Sequence, residues 1–331
     1  MPLLFAPSRT LVRQFLPFCA GLLFATTAIA TPLSSCLGFK PRDKVLIVEA
    51  ADVGMQPDID AAAFRLIETG TIQTLAIMPV GNESDMALRR AKARDLGVGV
   101  SLALTNEWQD KLPWRGVLPV QSVPSLYNSQ GNLWRTPAEL ALHATEEDAR
   151  QELLAQIARV KESGVKITHL ESRNAFWRAS PMLTRLYLSL AQQTGYPVVT
   201  SLSEMPLDKQ LALNRNGQRA GIVTPDTASS LFDVTTDKPG ERFDDYGRLL
   251  RSLPAGINLL SIYPAQSSVA ARTALSDLPL RTSDFAIWSN GDITKTALQN
   301  RIRFSNFAAM QSLQDKINAD TDECLAQAIN R

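Results

Sequence analysis

The chain has 331 residues, 45% hydrophobic and 20% charged, so it can bury one sizeable core and falls outside the disordered class. Thirty-four Lys and Arg face 33 Asp and Glu, a formal charge of +1 that leaves no basic excess for a nucleic-acid footprint. Nucleic acid is thus excluded as an expected partner, and one domain spanning residues 43–320 is the expected organisation.

Residues 1–30 read as an export signal. Arg9 and Arg13 supply the positive region, Phe15 to Ala30 is a short apolar run rich in small residues, and Ala28-Ile29-Ala30 is an A-x-A cleavage site. Leu33-Ser34-Ser35-Cys36 offers an alternative, a box preceding a lipid-modified cysteine, which would extend the removed segment to 35 and anchor the chain through Cys36. Thr31-Pro32, lying between the apolar run and that box, favours cleavage after Ala30. A periplasmic or secreted protein is expected, tethered to a membrane only if Cys36 carries lipid. Of three cysteines, Cys19 lies in the removed segment; Cys36 and Cys324 either pair across the mature chain or stand as separate thiols.

Lys44 to Glu49 is a continuous apolar run ending in Ala50-Ala51-Asp52-Val53-Gly54, as expected of a strand buried on both faces of a parallel sheet. A helix from Asp58 to Glu68, a strand from Thr74 to Met78, a helix from Glu83 to Arg94 and a strand from Gly97 to Leu104 follow. From Thr105 to Thr136 periodicity disappears into a Pro- and Trp-rich loop, which is either a binding loop or a rigid crossover. Further expected elements are an amphipathic helix from Glu146 to Ser163, a strand from Lys166 to Leu170, a helix from Pro181 to Thr194 and a strand from Pro197 to Thr200. Residues 203–240 are ambiguous beyond a short helix near Asp208 to Leu213. A helix from Phe243 to Leu253, a strand from Gly256 to Ile262 and one closing helix from Thr294 to Ile317 complete the chain. This order fits an α/β, barrel-like fold of about seven βα units, whose chemistry belongs after the strands.

At those strand ends the polar candidates are Glu49 and Asp52, then Ser101 and Thr105, then His169, Glu171 and Arg173, then Tyr263, with Arg281 and Asp284 downstream. Glu49-Ala50-Ala51-Asp52-Val53-Gly54, Gly99 to Trp108, Val123-Pro124-Ser125-Leu126, Thr168-His169-Leu170-Glu171-Ser172-Arg173, Tyr263-Pro264 and the Arg281 to Asp284 element form an ordered set. From Val45 to Phe285 the chain resembles the YdjC-like carbohydrate deacetylases. The resemblance implies a deacetylase-type barrel, a carbohydrate or other small polar ligand, and a divalent metal held by one Asp and two His that polarises an amide carbonyl and its bound water. A neighbouring Asp would be the general base.

Carried over by position, Asp52 is the only matched metal ligand. Ser101 and Arg173 stand where the two His would be, Ala51 at the base and Tyr263 at a later His. The chain contains only two histidines, His143 in an Ala/Leu-rich helical stretch and His169 inside a strand, where a hydrogen-bonded core role competes with ligation. An all-oxygen site from Asp52, Glu171, Ser101 and water is opposed by the charge of Arg173. Arg173 is instead expected to pair with Asp52 or Glu171 in the metal's place. Two readings follow: an exported, catalytically degenerate relative that keeps a binding pocket and needs no cofactor, or a divergent deacetylase that still uses a divalent metal. A third uses Glu49 or Glu171 as the base of a metal-free hydrolysis. Ser34, Ser35, Ser84 and Ser172 lack a nucleophile elbow, and no phosphate loop is present. Trp108, Trp114, Trp134 and Trp177 serve either as a sugar-stacking floor or as loop packing.

Overall fold

The computed structural model describes residues 32–200, 205–232, 239–322 and 324–325; the expected export signal lies outside them. Seven parallel strands build one sheet: β1 (Lys44–Val53), β2 (Thr74–Ile77), β3 (Gly97–Leu102), β4 (Lys166–Ser172), β5 (Thr227–Ser230), β6 (Gly256–Ile262) and β7 (Ile302–Phe304). Their order is β4-β3-β2-β1-β6-β5, with β7 paired to the first residues of β1. β1 is central because its apolar run has no polar face to expose. Leu46, Val48 and Ala50 enter the main core, whereas Val45 and Ile47 enter a second cluster with Ile257, Leu259, Phe307, Met310 and Leu313.

The backbone between the outer strands β4 and β5 carries the sheet round toward closure. Leu170 N–H donates to Pro197 O at 2.8 Å, Val199 N–H to Leu170 O at 2.9 Å, and Val198 N–H to Val223 O at 3.1 Å. The result is a barrel-like α/β fold, and parallel pairing throughout brings every strand's carboxyl end to the same mouth. No helix among the described residues is long and apolar enough to cross a membrane.

Helix Pro181–Thr194 and strand β6 have the expected bounds. Ser180 caps that helix by accepting from Leu183 N–H, and Gly195 ends it at φ 72°. The expected single closing helix is two, Asp292–Gln299 and Phe307–Asn318, with β7 between them. Arg301 turns left-handed at φ 58° after the first, and Asn306 caps the second by accepting from Ala308 N–H, so local capping overrides a helical apolar period. The expected strand at Pro197–Thr200 reduces to a single bridge between Leu170 and Val198. Within the ambiguous stretch lie helix Leu207–Arg219 and β5, whose Thr-Ala-Ser-Ser sequence has no apolar signature.

Cys36 and Cys324 form a disulfide across 288 positions, with Cα atoms 5.7 Å apart. In this structure the Cys36 sulfur, which a lipid thioether would use, is bonded to Cys324. The adjoining Leu33 is fully buried in the second core cluster, so helix Pro32–Cys36 is part of the fold. Cys36→Ser, or reduction, is expected to lower unfolding free energy by about 2–4 kcal/mol in urea titrations. The double variant with Cys324→Ser should lose no more than either single one.

Candidate functional site

The end of β1 holds Asp52 in the left-handed region, which a non-glycine residue does not favour, and uses Gly54 where the chain stays there. Asp52 has φ 59° and Gly54 φ 92°; Gly54 N–H donates to the buried Asp60 Oδ1 at 2.6 Å, and Glu83 N–H donates to Gly54 O at 2.8 Å. Gly81 lies so close that a Cβ there would come within 2.1 Å of Gly54 O. This clamped turn delivers Ala51 and Asp52 to a cavity of about 500 Å³ at the mouth of the barrel. Ser101 from β3, Glu171 and Ser172 from β4, and Tyr263 after β6 complete its floor. Glu107, Trp108, Asp110 and Lys111 of the long loop line it too, with Arg173, Asn174, Phe232 and Ser276.

Two guanidinium groups take both oxygens of Asp52. Arg173 Nε donates to Oδ1 at 3.0 Å and Arg281 Nη2 to Oδ2 at 2.7 Å. Arg173 Nη1 also reaches Glu107, at 2.6 Å from Oε1 and 2.8 Å from Oε2, and Arg281 Nε donates to Asp277 Oδ2 at 2.9 Å. Burial alone would raise the Asp52 carboxyl, but the charges of Arg173 and Arg281 prevail and hold it below the usual range. One turn of helix Leu278–Ser289 serves two strand ends. Arg281 reaches Asp52, while Asp284 accepts from Tyr263 N–H at 3.0 Å and from the buried Arg242 and Tyr246 at 2.6 and 2.8 Å.

Behind the floor lies a set of buried acids. His169 and Glu171 share one face of β4, and Gly99 opposite is bare because a Cβ there would meet the imidazole at 2.3 Å. His169 Nε2 is 2.7 Å from Glu49 Oε2, and its ring stacks on Phe307 at 3.5 Å between centroids. Burial pushes His169 down to about 3, leaving a neutral imidazole. Burial also raises Glu49 to about 8, partly offset by its hydrogen bond with Glu171; Glu171 is raised well above the usual range by burial and then by the Glu49 charge. The pair therefore holds at least one proton at neutral pH.

The metal implied by the resemblance does not fit this donor set. Both oxygens of Asp52 face N–H donors, Ser101 offers a neutral hydroxyl, and the third position carries the positive charge of Arg173. His169 turns to Glu49, and His143 stacks on Trp134 at 3.9 Å, away from the cavity lining. Among the described residues no group of three or more His, Cys, Asp or Glu is arranged to hold a metal ion. Ala51 presents a methyl group where a base would stand.

Asp52, Ser101, Glu171, Arg173 and Tyr263, named from the sequence, meet at the cavity, with Glu49, His169 and Arg281 beneath it. Thr105 does not line it; its carbonyl accepts from Trp114 Nε1 at 3.2 Å. Of the four tryptophans only Trp108 lines the cavity, since Trp114 packs under Arg173, Trp134 stacks on His143 and Trp177 on Tyr187. Sequence reasoning passed over Asp110, Lys111, Asn174, Phe232 and Ser276, and quoted Glu107 only within a motif. Glu107 carried no signal beyond its place in the Gly99 to Trp108 motif, and Phe232 carried none.

Because the folded value of Glu49 lies above its unfolded one, its contribution to stability is complete below about 4.5 and lost as pH rises through about 8. Tm should fall by roughly 6–12 °C between pH 6 and 9 in thermal melts, given about 3 kcal/mol and 2–4 °C per kcal/mol. Glu49→Gln should flatten that slope; an unchanged slope would remove Glu49 as its cause.

A sequence model described as YdjC-like protein matches residues 45–299. A carbohydrate deacetylase of Brevibacillus brevis is 30% identical over 154 residues, 46% of this chain and 58% of its own length. Thus the chain aligns with little more than half of that enzyme. A carbohydrate deacetylase of Thermoanaerobacter pseudethanolicus is 23% identical over 271 residues, 81% of this chain and 100% of its own. An Enterococcus faecalis V583 protein, provisionally named for cellobiose-phosphate cleavage, shares the fold with a TM-score of 0.69 at 20% identity, covering 81% of this chain and 99% of its own. The family match spans every residue that lines the cavity, and the chain belongs to the YdjC-like protein family.

Proposed function

We propose that the protein is an exported, carbohydrate-binding member of its family that does not hydrolyse amides. The observation that carries this reading is the double engagement of Asp52 by Arg173 and Arg281, beside Ala51 at the position of the base. A hydrolytic site needs an acceptor for the water proton, a contribution of about 10²–10⁴ in rate, and a Lewis acid or oxyanion donor for the carbonyl. Here the acceptor position is a methyl group and the acid that would hold the metal is saturated by cations.

Binding remains supported. The cavity is lined by Trp108, Phe232 and Tyr263 together with Ser101, Ser172, Asn174 and Ser276, a mixture suited to pyranose rings and their hydroxyls. Relatives named as carbohydrate deacetylases support the ligand class. The leader before Ala30 supports export, and the Cys36–Cys324 bond suits an oxidising compartment such as the periplasm.

The test is elemental analysis of the mature protein, purified with zinc, cobalt or manganese supplied, together with acetate release from N-acetylated chito-oligosaccharides. Expected are substoichiometric metal and no release above background. Stoichiometric metal with turnover abolished by Asp52→Ala would overturn the proposal. In a complementary experiment, the triple variant Ala51→Asp/Ser101→His/Arg173→His is expected to acquire the visible absorption of one bound Co²⁺, a band the parent lacks.

A further inference from the structure

Among the described residues six non-glycine positions have positive φ. Asp95, Arg301 and Asp320 come just after helices Ser84–Lys92, Asp292–Gln299 and Phe307–Asn318, where a left-handed residue is an ordinary terminator. The other three, Asp52 at φ 59°, Asn174 at 53° and Ala175 at 46°, belong to two turns at the cavity. Backbone held in this region persists only where its surroundings over-determine it. Arg173 stands between the two turns: it precedes Asn174 and Ala175 and bonds Asp52.

The same guanidinium reaches outward to the long loop. Its Nη1 binds both oxygens of Glu107, and Asn174 Nδ2 donates to Glu107 Oε2 at 2.8 Å. The face of Trp114 lies 5.0 Å from its central carbon, and Nη2 points at the sulfur of Met55 at 3.9 Å. Arg173 is therefore wedged on several sides, and Glu107 is the point at which it controls the loop. The residue after Glu107 is Trp108. Its N–H donates to Asn106 Oδ1 at 2.9 Å, and its carbonyl accepts from Lys111 and Leu112 N–H at 2.9 and 2.8 Å. Asn106 is buried and donates to Trp114 O at 3.2 Å. The segment from Asn106 to Leu112 is thus one hydrogen-bonded unit, and displacing Glu107 displaces Trp108 with it.

We propose that Arg173 is a positioning residue, a fixed cationic latch that joins Asp52 in the floor to Glu107 in the long loop and so sets Trp108 as a stacking face for an N-acetylated pyranose ring, without metal. The ligand class rests on the carbohydrate-binding reading; the latch does not.

The test uses the mature protein labelled with 5-fluorotryptophan, the Trp108 resonance being assigned with Trp108→Phe, and tri-N-acetylchitotriose as the probe ligand in calorimetry. Glu107→Gln removes the loop's charge from a partly exposed position and should shift or broaden the Trp108 ¹⁹F signal while the other tryptophans keep theirs. It should also weaken chitotriose about three- to tenfold, as should Trp108→Ala. Arg173→Met should do the same, and Arg173→Lys, a point charge without the planar fork, should restore part of both readouts. Affinity should be the same with and without EDTA. An unmoved Trp108 signal in Glu107→Gln overturns the latch even if the sugar binds, and this readout stands if Arg173→Met fails to fold. Absence of chitotriose binding by the parent overturns the ligand class and leaves the latch to be judged by the ¹⁹F signal alone. Binding lost in EDTA overturns metal independence.

Discussion

Asp52 is a buried carboxylate at the end of the central strand, and its two oxygens are held by guanidinium groups from two distant points later in the sequence, Arg173 beyond β4 and Arg281 beyond β6. An ionised carboxylate in such a place is costly unless its charge is met and its lone pairs are filled, and stripping a partner from a buried ion pair costs about 3–5 kcal/mol. The remaining geometry follows from meeting that requirement. Helix Leu278–Ser289 must present Arg281 inward, which also puts Asp284 under Tyr263, and the turn after β4 must go left-handed where Arg173 leaves it. Glu107 and Asp277 then meet the other sides of these cations, so that each guanidinium bridges Asp52 to a second carboxylate.

The neighbouring acids solve the same problem by the opposite route. Among the described residues Glu49 and Glu171 meet no cation comparable to Arg173 or Arg281, but a neutral imidazole, a serine hydroxyl and each other, so the pair retains at least one proton instead of recruiting charge. One barrel mouth thus contains an ionised acid in its floor and, beside and beneath it, an acid pair that retains at least one proton. What separates them is the supply of guanidinium groups, since both are buried.

The strands most legible in the sequence were those whose burial leaves an unmistakable apolar run. β1 and β6 are examples, and so is helix Pro181–Thr194 with its Ser180 and Gly195 ends. β5 was hidden because a strand of Thr, Ala and Ser depends on backbone pairing with β6 rather than on its side chains. The break between the last two helices was hidden because β7 is only Ile302–Phe304, too short for its alternation to register in a sequence pattern, and pairing with β1 is what makes it a strand. At the cavity, the residues that replace a metal site could be read from their positions, and so could the attraction between Arg173 and Asp52. The part played by Glu107 could not. It depends on how a 30-residue loop without periodicity folds back, which local pattern does not encode.

The covalent tie between Cys36 and Cys324 makes residues 36–324 a ring: an amide backbone running one way round and a single S–S bond completing the circuit. Tension applied on either side of the ring passes through that bond and leaves β1 and the barrel unloaded. Pulled from both ends, the molecule would keep the mouth of its barrel in shape. A single backbone cut in the exposed reaches of the long loop would open the ring without releasing a fragment, since both halves stay joined at the opposite pole.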